Sequence, residues 1–293
     1  IVMVGATGQG FYDDNGKLIE AETFGFTLLE IKKVCEDLSI LPTYYEAIVL
    51  TGILSAKNAG CEILICEVGM GGRLDAVNSV QGKRVSALTF IGDDHLEKFD
   101  NSLSKLAEEK AGIFVENSVY NISYEQKMCS TLNKIAKKDI HYIKGVMTKL
   151  NKKMTRNICE EILGSDTFTM RKIQLPGRWE KVAPDVILDG AHSAPRFEFI
   201  LPKIKKLKGP KIGIFGLGKN HDPNIFNIVE KEFEEIFWVN VPEARDTWTA
   251  EELKQKLGRG ITCPDAHSAL KEARKLGGTI LVNGFFLGGE MRN

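Results

Sequence analysis

Residues 63 to 78 read ILICEVGMGGRLDAVN, and this stretch decides the fold. It opens with an apolar run of strand length, and the carboxylate of Glu67 comes at the end of that run. The twelve residues that begin at Glu67 include three glycines, an arginine, an aspartate and Asn78. Ligands of parallel sheets bind beyond the carboxyl ends of the strands, where a carboxylate can hold Mg²⁺ against nucleotide phosphates. The stretch therefore predicts a buried strand that ends in a binding loop.

Strand-like and helical segments alternate on both sides of this stretch. On the N-terminal side lie an apolar run at 1–4, a helical stripe over 24–38 and a second helix over 42–58. On the C-terminal side follow a strand at 85–91 and a helix from 101 to about 112. After residue 178 the pattern restarts, with strands at 186–189, 211–216, 236–241 and 280–284 and with helices between them, one of them near 223–234. Strands separated by helices of this length predict right-handed crossovers and mostly parallel sheets.

The length of the chain favours two domains. Its 293 residues reach the size at which single cores stop growing, roughly 250 to 300 residues. Segment 164–178 mixes Gly, Ser, Asp and Pro without a helical period, which is typical of a domain boundary. We therefore predict an α/β protein in which a parallel-sheet domain of the P-loop type, residues 1–170, is followed by a smaller Rossmann-like α/β domain, residues 171–293.

Composition and charge restrict the class of protein. With 43% apolar and 27% charged residues the chain is expected to be globular, and its 39 basic residues balance 39 acidic ones. The absence of a broad positive field argues against nucleic acid or an anionic membrane as a partner. Without a membrane-length apolar stretch or a signal segment, we expect a soluble cytoplasmic monomer whose six scattered cysteines are reduced. Because Ile1 stands inside a strand-like run, we also expect the chain to be part of a longer one.

A glycine-rich loop follows the first apolar run, at Gly5-Ala6-Thr7-Gly8-Gln9-Gly10. Such a loop can turn backbone N–H groups toward a phosphate, and a lysine normally adds charge at the position where Gln9 stands. The loop can also be the start of a dinucleotide fingerprint, whose third glycine position is Phe11, or a plain structural turn. The loop alone leaves these alternatives open.

Three further strand ends and one helix end carry polar residues. They are Gly92-Asp93-Asp94-His95, Asp189-Gly190-Ala191-His192 with Pro176-Gly177-Arg178 before it, the segment from Gly216 to Asp222, and Lys110. A strand-terminal Asp followed by Gly and His suits ribose or phosphate contact, and Arg178 can bind a phosphate through paired N–H groups. Taken alone, His95 is more typical of a satisfied structural histidine, and Lys110 of a cation that opposes a helix dipole.

Taken in order, these motifs resemble the folylpolyglutamate synthase and dihydrofolate synthase family of the Mur ligase superfamily. The match runs from the glycine loop to the last strand. Its most specific parts are Thr43-Tyr44-Tyr45-Glu46, residues 67–78, 92–95 and 109–113, Pro176-Gly177-Arg178 with Glu180, residues 189–192, and Asn283-Gly284. Seven motifs in the correct order across nearly the whole chain indicate common descent.

The resemblance implies an ATP-dependent ligase of folate biosynthesis and one-carbon metabolism, with ATP and Mg²⁺ as cofactors. It implies that ATP phosphorylates the carboxylate of a pteroate or folate, and that the amino group of L-glutamate then attacks the acyl phosphate. By the same resemblance, residues 1–170 are an ATP-binding central domain and residues 171–293 a C-terminal ligase domain.

The resemblance also implies a role for each candidate residue. Glu67, His95 and a carbamylated Lys110 would hold magnesium and act as the catalytic residues. ATP would be bound by Gly5, Thr7, Gly8, Gln9, Gly10, Asn78, Arg178, Asp189 and His192, the last three reaching it when the domains close. As a strand-end carboxylate in an open cleft, Asp189 is expected to add little to the stability of its domain.

The chain departs from the family pattern mainly in its glycine loop. Ala6, Gln9 and Phe11 stand where the family has Thr, Lys and Ser, and Ser193 stands where it has Asn. These differences leave two alternatives to a folate ligase. One is a descendant that binds nucleotide or folate without turnover, and the other is an NAD(P)-binding oxidoreductase based on Gly5 to Gly10 alone.

Overall fold

The computed structural model describes residues 2–4, 11–12, 19–92, 96–114, 118–145, 147–170, 176–219, 221–241, 246–284 and 287, with the backbone alone at 2–4, 11–12, 97 and 147–148. The chain divides into two compact units, Ile1–Phe168 and Thr169–Asn293. Both units are α/β structures with parallel strand pairs, so the fold class predicted from the sequence is confirmed. None of the described helices has the length and apolar character that a bilayer-spanning helix needs.

The first unit alternates helices and strands along its length. In chain order the described elements are β1 (Val2–Val4), β2 (Phe11–Tyr12), α1 (Ala21–Asp37), α2 (Tyr44–Asn58), β3 (Leu64–Cys66), β4 (Val85–Leu88), α3 (Leu103–Ala111), β5 (Tyr120–Tyr124), α4 (Cys129–Ile135), β6 (Ile140–Ile143) and α5 (Met147–Leu163). The strands pair in the orders β2-β1-β3 and β4-β5-β6. All these pairs are parallel except the one between β1 and β2.

Helices cover both faces of the β4-β5-β6 sheet. On one face, α3 and α4 bury a cluster that includes Leu106, Leu132 and Ile140. On the other face, α5 packs Met154 against Ile122 and its neighbours. Removing such side chains from water contributes on the order of 25 cal/mol per Å² of apolar surface, and this burial stabilises the packing of α3 on the sheet.

Local hydrogen bonds fix where α2 and α3 begin. Thr43 caps α2 by accepting a hydrogen bond on Oγ1 from the Glu46 amide at 3.2 Å, while Glu46 Oε2 accepts from the Thr43 amide at 2.7 Å. Ser102 caps α3 by accepting on Oγ from the Lys105 amide at 3.3 Å. Because α3 ends at Ala111, Lys110 lies in its last turn.

The second unit contains one sheet of mostly parallel strands. Its described elements are β7 (Glu180–Lys181), β8 (Val186–Asp189), α6 (Ala194–Lys205), β9 (Lys211–Phe215), β10 (Glu235–Val239), α7 (Ala250–Leu257), β11 (Ile261–Cys263), α8 (Ala266–Leu276) and β12 (Thr279–Asn283). The strand order is β11-β10-β9-β12-β8-β7, and only β7 runs antiparallel to its neighbour.

Side chains of the second sheet alternate between two buried faces. Ile187 and Leu281 face the cluster under α6 and α7, whereas Val186 and Val282 face the cluster under α8. Strands buried on both faces read as continuous apolar runs, which is why these strands were visible in the sequence. Because β9, β12 and β8 are neighbours and run parallel, their carboxyl ends lie side by side at one edge of the sheet.

One predicted feature differs from the structure, and a second lies outside the described residues. The helix expected near 223–234 is a pair of short 3₁₀ turns, Pro223–Ile228 and Glu230–Glu232. On either side of Gly5 to Gly10, the described backbone forms the antiparallel pair of β1 and β2. Residues 5–10 and 13–18 lie outside the described residues, so both interpretations of the glycine loop stay predictions.

Candidate functional site

The carboxylate of Glu67 stands directly beyond the end of β3. Its side chain is exposed, while the next residue, Val68, packs against the core cluster under α3. Neighbouring residues of an extended backbone point in opposite directions, so the burial of Val68 turns Glu67 toward solvent. We call residues 67–78 the β3 loop.

Asp75 gives the β3 loop its shape. Its Oδ2 accepts hydrogen bonds from the amides of Gly69 at 2.9 Å and Met70 at 3.1 Å, and its Oδ1 accepts from the amide of Val77 at 3.0 Å. The hydroxyl of Tyr45, on α2, donates to Oδ1 at 3.0 Å. Burial and then the charge of Asp75 raise the pKa of Tyr45, so the hydroxyl remains a donor at neutral pH.

The β3 loop approaches the last turn of α3 too closely for side chains. A Cβ atom on Gly72 would lie 2.9 Å from the carbonyl oxygens of both Glu109 and Lys110. A Cβ atom on Gly112 would lie 2.3 Å from the Cβ atom of Arg73. Glycine is therefore required at both positions, and the loop that begins at Glu67 packs against the backbone of Lys110.

Asn78 is engaged within the β3 loop. Its Nδ2 donates to the carbonyl oxygens of Arg73 at 3.1 Å and Gly112 at 3.3 Å. Lys83 Nζ donates to the carbonyl oxygen of Asn78 at 3.0 Å and also to its side-chain oxygen. Burial lowers the pKa of Lys83. These contacts give Asn78 a structural role, and its contact with ATP stays a prediction.

In the second unit, the carboxylate of Asp189 is buried. Only 1% of the surface of Asp189 is exposed, and Arg196 on α6 donates to both of its oxygens, from Nε at 3.2 Å and from Nη2 at 2.6 Å. The Trp179 amide donates to Oδ2 at 2.8 Å. The expected position in an open cleft is wrong, because the carboxylate is buried and paired. Its effect on stability stays a prediction, and burial beside a cation predicts a large effect.

Two motifs that are apart in the sequence meet at the end of β8. The amide of Gly190 donates to the carbonyl oxygen of Gly177 at 2.8 Å, and the amide of Gly177 donates to Glu180 Oε2 at 2.7 Å. The turn that contains the partly buried Arg178 thus lies against the loop that contains His192. The structure brings these two predicted site residues into one region of the second unit.

The loops after β8 and β9 also approach each other. The ring centroids of His192 and His221 are 5.0 Å apart, and His192 Nδ1 lies 2.8 Å from the carbonyl oxygen of Gly190. Both loops belong to the carboxyl edge of the sheet, on either side of β12. This is the edge at which open parallel sheets bind ligands.

Some candidates lie outside the described residues, namely Gly5, Thr7, Gly8, Gln9, Gly10 and His95. Within the described part of the chain, no group of three or more His, Cys, Asp or Glu side chains is placed to hold a metal ion. The magnesium set of Glu67, His95 and Lys110 therefore stays a prediction.

Comparison with known proteins identifies the class. The model of the Mur ligase middle domain matches residues 19–192, which is more than half of the chain. The chain belongs to the Mur ligase middle domain family, and the resemblance found in its motifs is confirmed.

Within that class, the curated relatives are folate enzymes. The dihydrofolate synthase/folylpolyglutamate synthase of Buchnera aphidicola subsp. Schizaphis graminum is 26% identical over 274 residues, which cover 80% of this chain and 64% of the relative. The protein of the same name from Escherichia coli K12 is 26% identical over 300 residues, covering 88% of this chain and 70% of the relative. The chain thus spans less than two thirds of the length of the Buchnera relative.

Solved structures show the same fold. Escherichia coli FolC in complex with DHPP and ADP has a TM-score of 0.82 at 21% identity, with 99% of this chain and 81% of that chain covered. Mycobacterium tuberculosis folylpolyglutamate synthase, complexed with ADP and AMPPCP, has a TM-score of 0.82 at 17% identity, with 99% and 84% covered. At these identities the likeness establishes the fold.

Proposed function

We propose that the chain forms the catalytic part of an ATP-dependent ligase that joins L-glutamate to the carboxylate of a folate or dihydropteroate. One observation carries the proposal: the exposed carboxylate of Glu67 begins a loop that packs against the turn of α3 bearing Lys110. The names of the curated relatives, dihydrofolate synthase/folylpolyglutamate synthase, support this activity. The DHPP and ADP in the similar Escherichia coli structure support the substrate class.

Amide formation from a carboxylate requires activation, because oxide is a poor leaving group. ATP transfers its γ-phosphoryl group to the carboxylate oxygen, and the amine of L-glutamate then displaces phosphate from the acyl phosphate. The protein contributes by positioning the reactants and by neutralising charge. The residues proposed for this role in the first unit are Glu67 and Lys110. In the second unit, Arg178 and His192 are proposed to bind ATP.

Magnesium fits the residues that are present. Glu67 offers a carboxylate, and a carbamate on Lys110 would offer another anionic oxygen group, which is the donor type that Mg²⁺ prefers. A histidine such as His95 is chemically the weaker ligand. When bound there, Mg²⁺ would neutralise charge on the phosphates of ATP. The role of the protein is to hold the two oxygen donors at a fixed spacing.

Phosphate release tests the proposal. The protein is incubated with ATP, Mg²⁺, L-glutamate and either dihydropteroate or tetrahydrofolate, and orthophosphate and the product mass are measured. We expect release to depend on both the pterin substrate and glutamate, with a product heavier by one glutamyl residue. Binding of an ATP analogue without any such release would contradict a ligase.

That contrary result is the prediction of a second candidate function, a descendant that binds nucleotide or folate without turnover. Gln9 in place of lysine favours it, because the loop then lacks the positive charge that lysine adds beside a phosphate. An NAD(P)-binding oxidoreductase would rest on Gly5 to Gly10 alone, and the family match over residues 19–192 gives it no support. The predicted monomeric state and cytoplasmic location remain predictions.

Substitution of Lys110 tests the carbamate. Lys110→Ala is expected to lower ligation on the order of 100-fold, because an anionic oxygen ligand is lost, and added acetate or propionate should restore part of the activity by occupying the vacated space. Lys105→Ala, at an exposed position of the same helix, serves as the control and should retain full activity. Full activity of Lys110→Ala with carbon dioxide excluded would remove Lys110 from the reaction.

A further inference from the structure

The last turn of α3 contains a carboxylate where a helix disfavours one. Glu109 lies in that turn, next to the partial negative charge at the carboxyl end of the helix dipole. Its side chain is only 17% exposed, so solvent does little to offset this placement. A carboxylate in such a position requires donors from elsewhere in the fold.

The β3 loop supplies these donors. Glu109 Oε2 accepts from Arg73 Nε at 3.1 Å and lies 3.0 Å from Arg73 Nη2, a paired contact with one side of the guanidinium. Glu109 Oε1 accepts from the amide of Leu74 at 3.2 Å. The carbonyl oxygen of Glu109 accepts from the amide of Arg73 at 2.9 Å. Glu109 therefore binds two consecutive residues of the loop through its side chain and its backbone.

We call the contacts of Glu109 with Arg73 and Leu74 the clamp. The clamp joins the β3 loop to α3, and each of these elements carries a proposed catalytic residue. Glu67 begins the β3 loop, and Lys110 is the residue after Glu109. On the opposite side, Asp75 attaches the loop to Tyr45 of α2. The loop is thus held between two helices. Of the residues that hydrogen-bond it to these helices, Glu109 is the one next to Lys110 in the sequence.

We infer that Glu109 is a positioning residue, which fixes the spacing between Glu67 and Lys110 by clamping Arg73 and Leu74 to the end of α3. The inference rests on the proposed ligase function. It assigns Glu109 and Arg73 no contact with substrate. Misplacement of a reacting group by about 1 Å can lower a rate on the order of 100-fold, so a loosened clamp acts on turnover more than on stability.

Glu109→Gln tests the inference with little change in shape. The amide has a single acceptor oxygen, and its NH₂ group must face either Arg73 or the Leu74 amide, both of which are donors. We expect kcat to fall by about 10-fold to 100-fold, the KM for ATP to change by less than about 3-fold, and the thermal midpoint to stay within about 2 °C of the wild type. Glu108→Gln, on the exposed side of the same helix, is the matched control and should keep the wild-type kcat.

Two further measurements separate positioning from a general structural role. The double variant Arg73→Ala with Glu109→Gln should have a kcat no lower than that of the less active single variant. The reason is that both substitutions break the same contact, the one between Arg73 and Glu109. Hydrogen–deuterium exchange of a peptide spanning 72–75 should accelerate in Glu109→Gln and not in Glu108→Gln. The inference is overturned if Glu109→Gln keeps the wild-type kcat or if the hydrogen–deuterium exchange of 72–75 is unchanged. It is also overturned if the fold-decrease in kcat of the double variant equals the product of the fold-decreases of the two single variants. If the wild type itself shows no ligation, the proposed function fails, and the exchange result alone decides whether Glu109 holds the loop.

Discussion

Glu67→Gln is expected to abolish ligation and to leave the fold intact. A neutral amide cannot neutralise magnesium beside a triphosphate, so the loss in kcat should be on the order of 100-fold or more. The side chain of Glu67 is exposed, and exposed substitutions usually change the free energy of unfolding by about 0.5 kcal/mol or less. Orthophosphate release and thermal unfolding of the purified variant measure the two effects separately.

A neighbouring glutamate provides the control for that experiment. Glu62 is also exposed and stands just before β3, at the opposite end of the strand from Glu67. Glu62→Gln makes the same chemical change at the wrong end of the strand and should leave turnover unaltered. Equal turnover of the two variants would remove Glu67 from the site and leave the β3 loop without its proposed chemistry.

The fold was predictable from the sequence wherever apolar runs and capping residues coincide. The strands of the second unit are buried on both faces, so they appear as uninterrupted apolar runs. Thr43 with Glu46, and Ser102, mark the starts of two helices through side-chain hydrogen bonds that local sequence predicts. In these places the local preference and the tertiary environment favour the same structure.

The segment 223–234 shows where periodicity was insufficient. Its apolar residues fit a helical spacing, but the hydrogen bonds run from Val229 N to Phe226 O and from Glu232 N to Val229 O, which is the 3₁₀ pattern. Phe226 and Val229 are fully buried in the core of the second unit. Packing of these two side chains, rather than helix propensity, decides the backbone there.

The candidate site was predictable as a set of strand ends but not as a set of contacts. Neither Arg196 nor Glu109 was assigned a partner from the sequence, because each partner depends on how two elements pack. A signal was nevertheless present. Arg196 lies in the first turn of α6 and Glu109 in the last turn of α3, where the helix dipole disfavours their charges. A charge placed against the dipole indicates an opposite charge held nearby by the fold.

Asp189→Ala is expected to destabilise the second unit by about 3 to 5 kcal/mol, because it leaves Arg196 without its carboxylate inside the fold. The carboxylate is completely buried and the Arg196 side chain is only 23% exposed, so water cannot replace the lost contacts. The chain has three tryptophans, and Trp179, Trp238 and Trp248 all belong to the second unit. Urea unfolding followed by tryptophan fluorescence therefore reports on that unit.

Asp185→Ala is the matched control for this measurement, since Asp185 stands just before the same strand and pairs with Arg274. That pair is 2.9 Å long, but its side chains are 34% and 51% exposed, so its loss should cost about 1 kcal/mol or less. The double variant Asp189→Asn with Arg196→Met should recover part of the stability lost in Asp189→Ala, because no charge is left unpaired. Equal destabilisation by Asp189→Ala and Asp185→Ala would show that burial does not set the strength of the Asp189 pair. The contact of Asp189 with ATP that its position at the end of β8 predicts stays a prediction in either case.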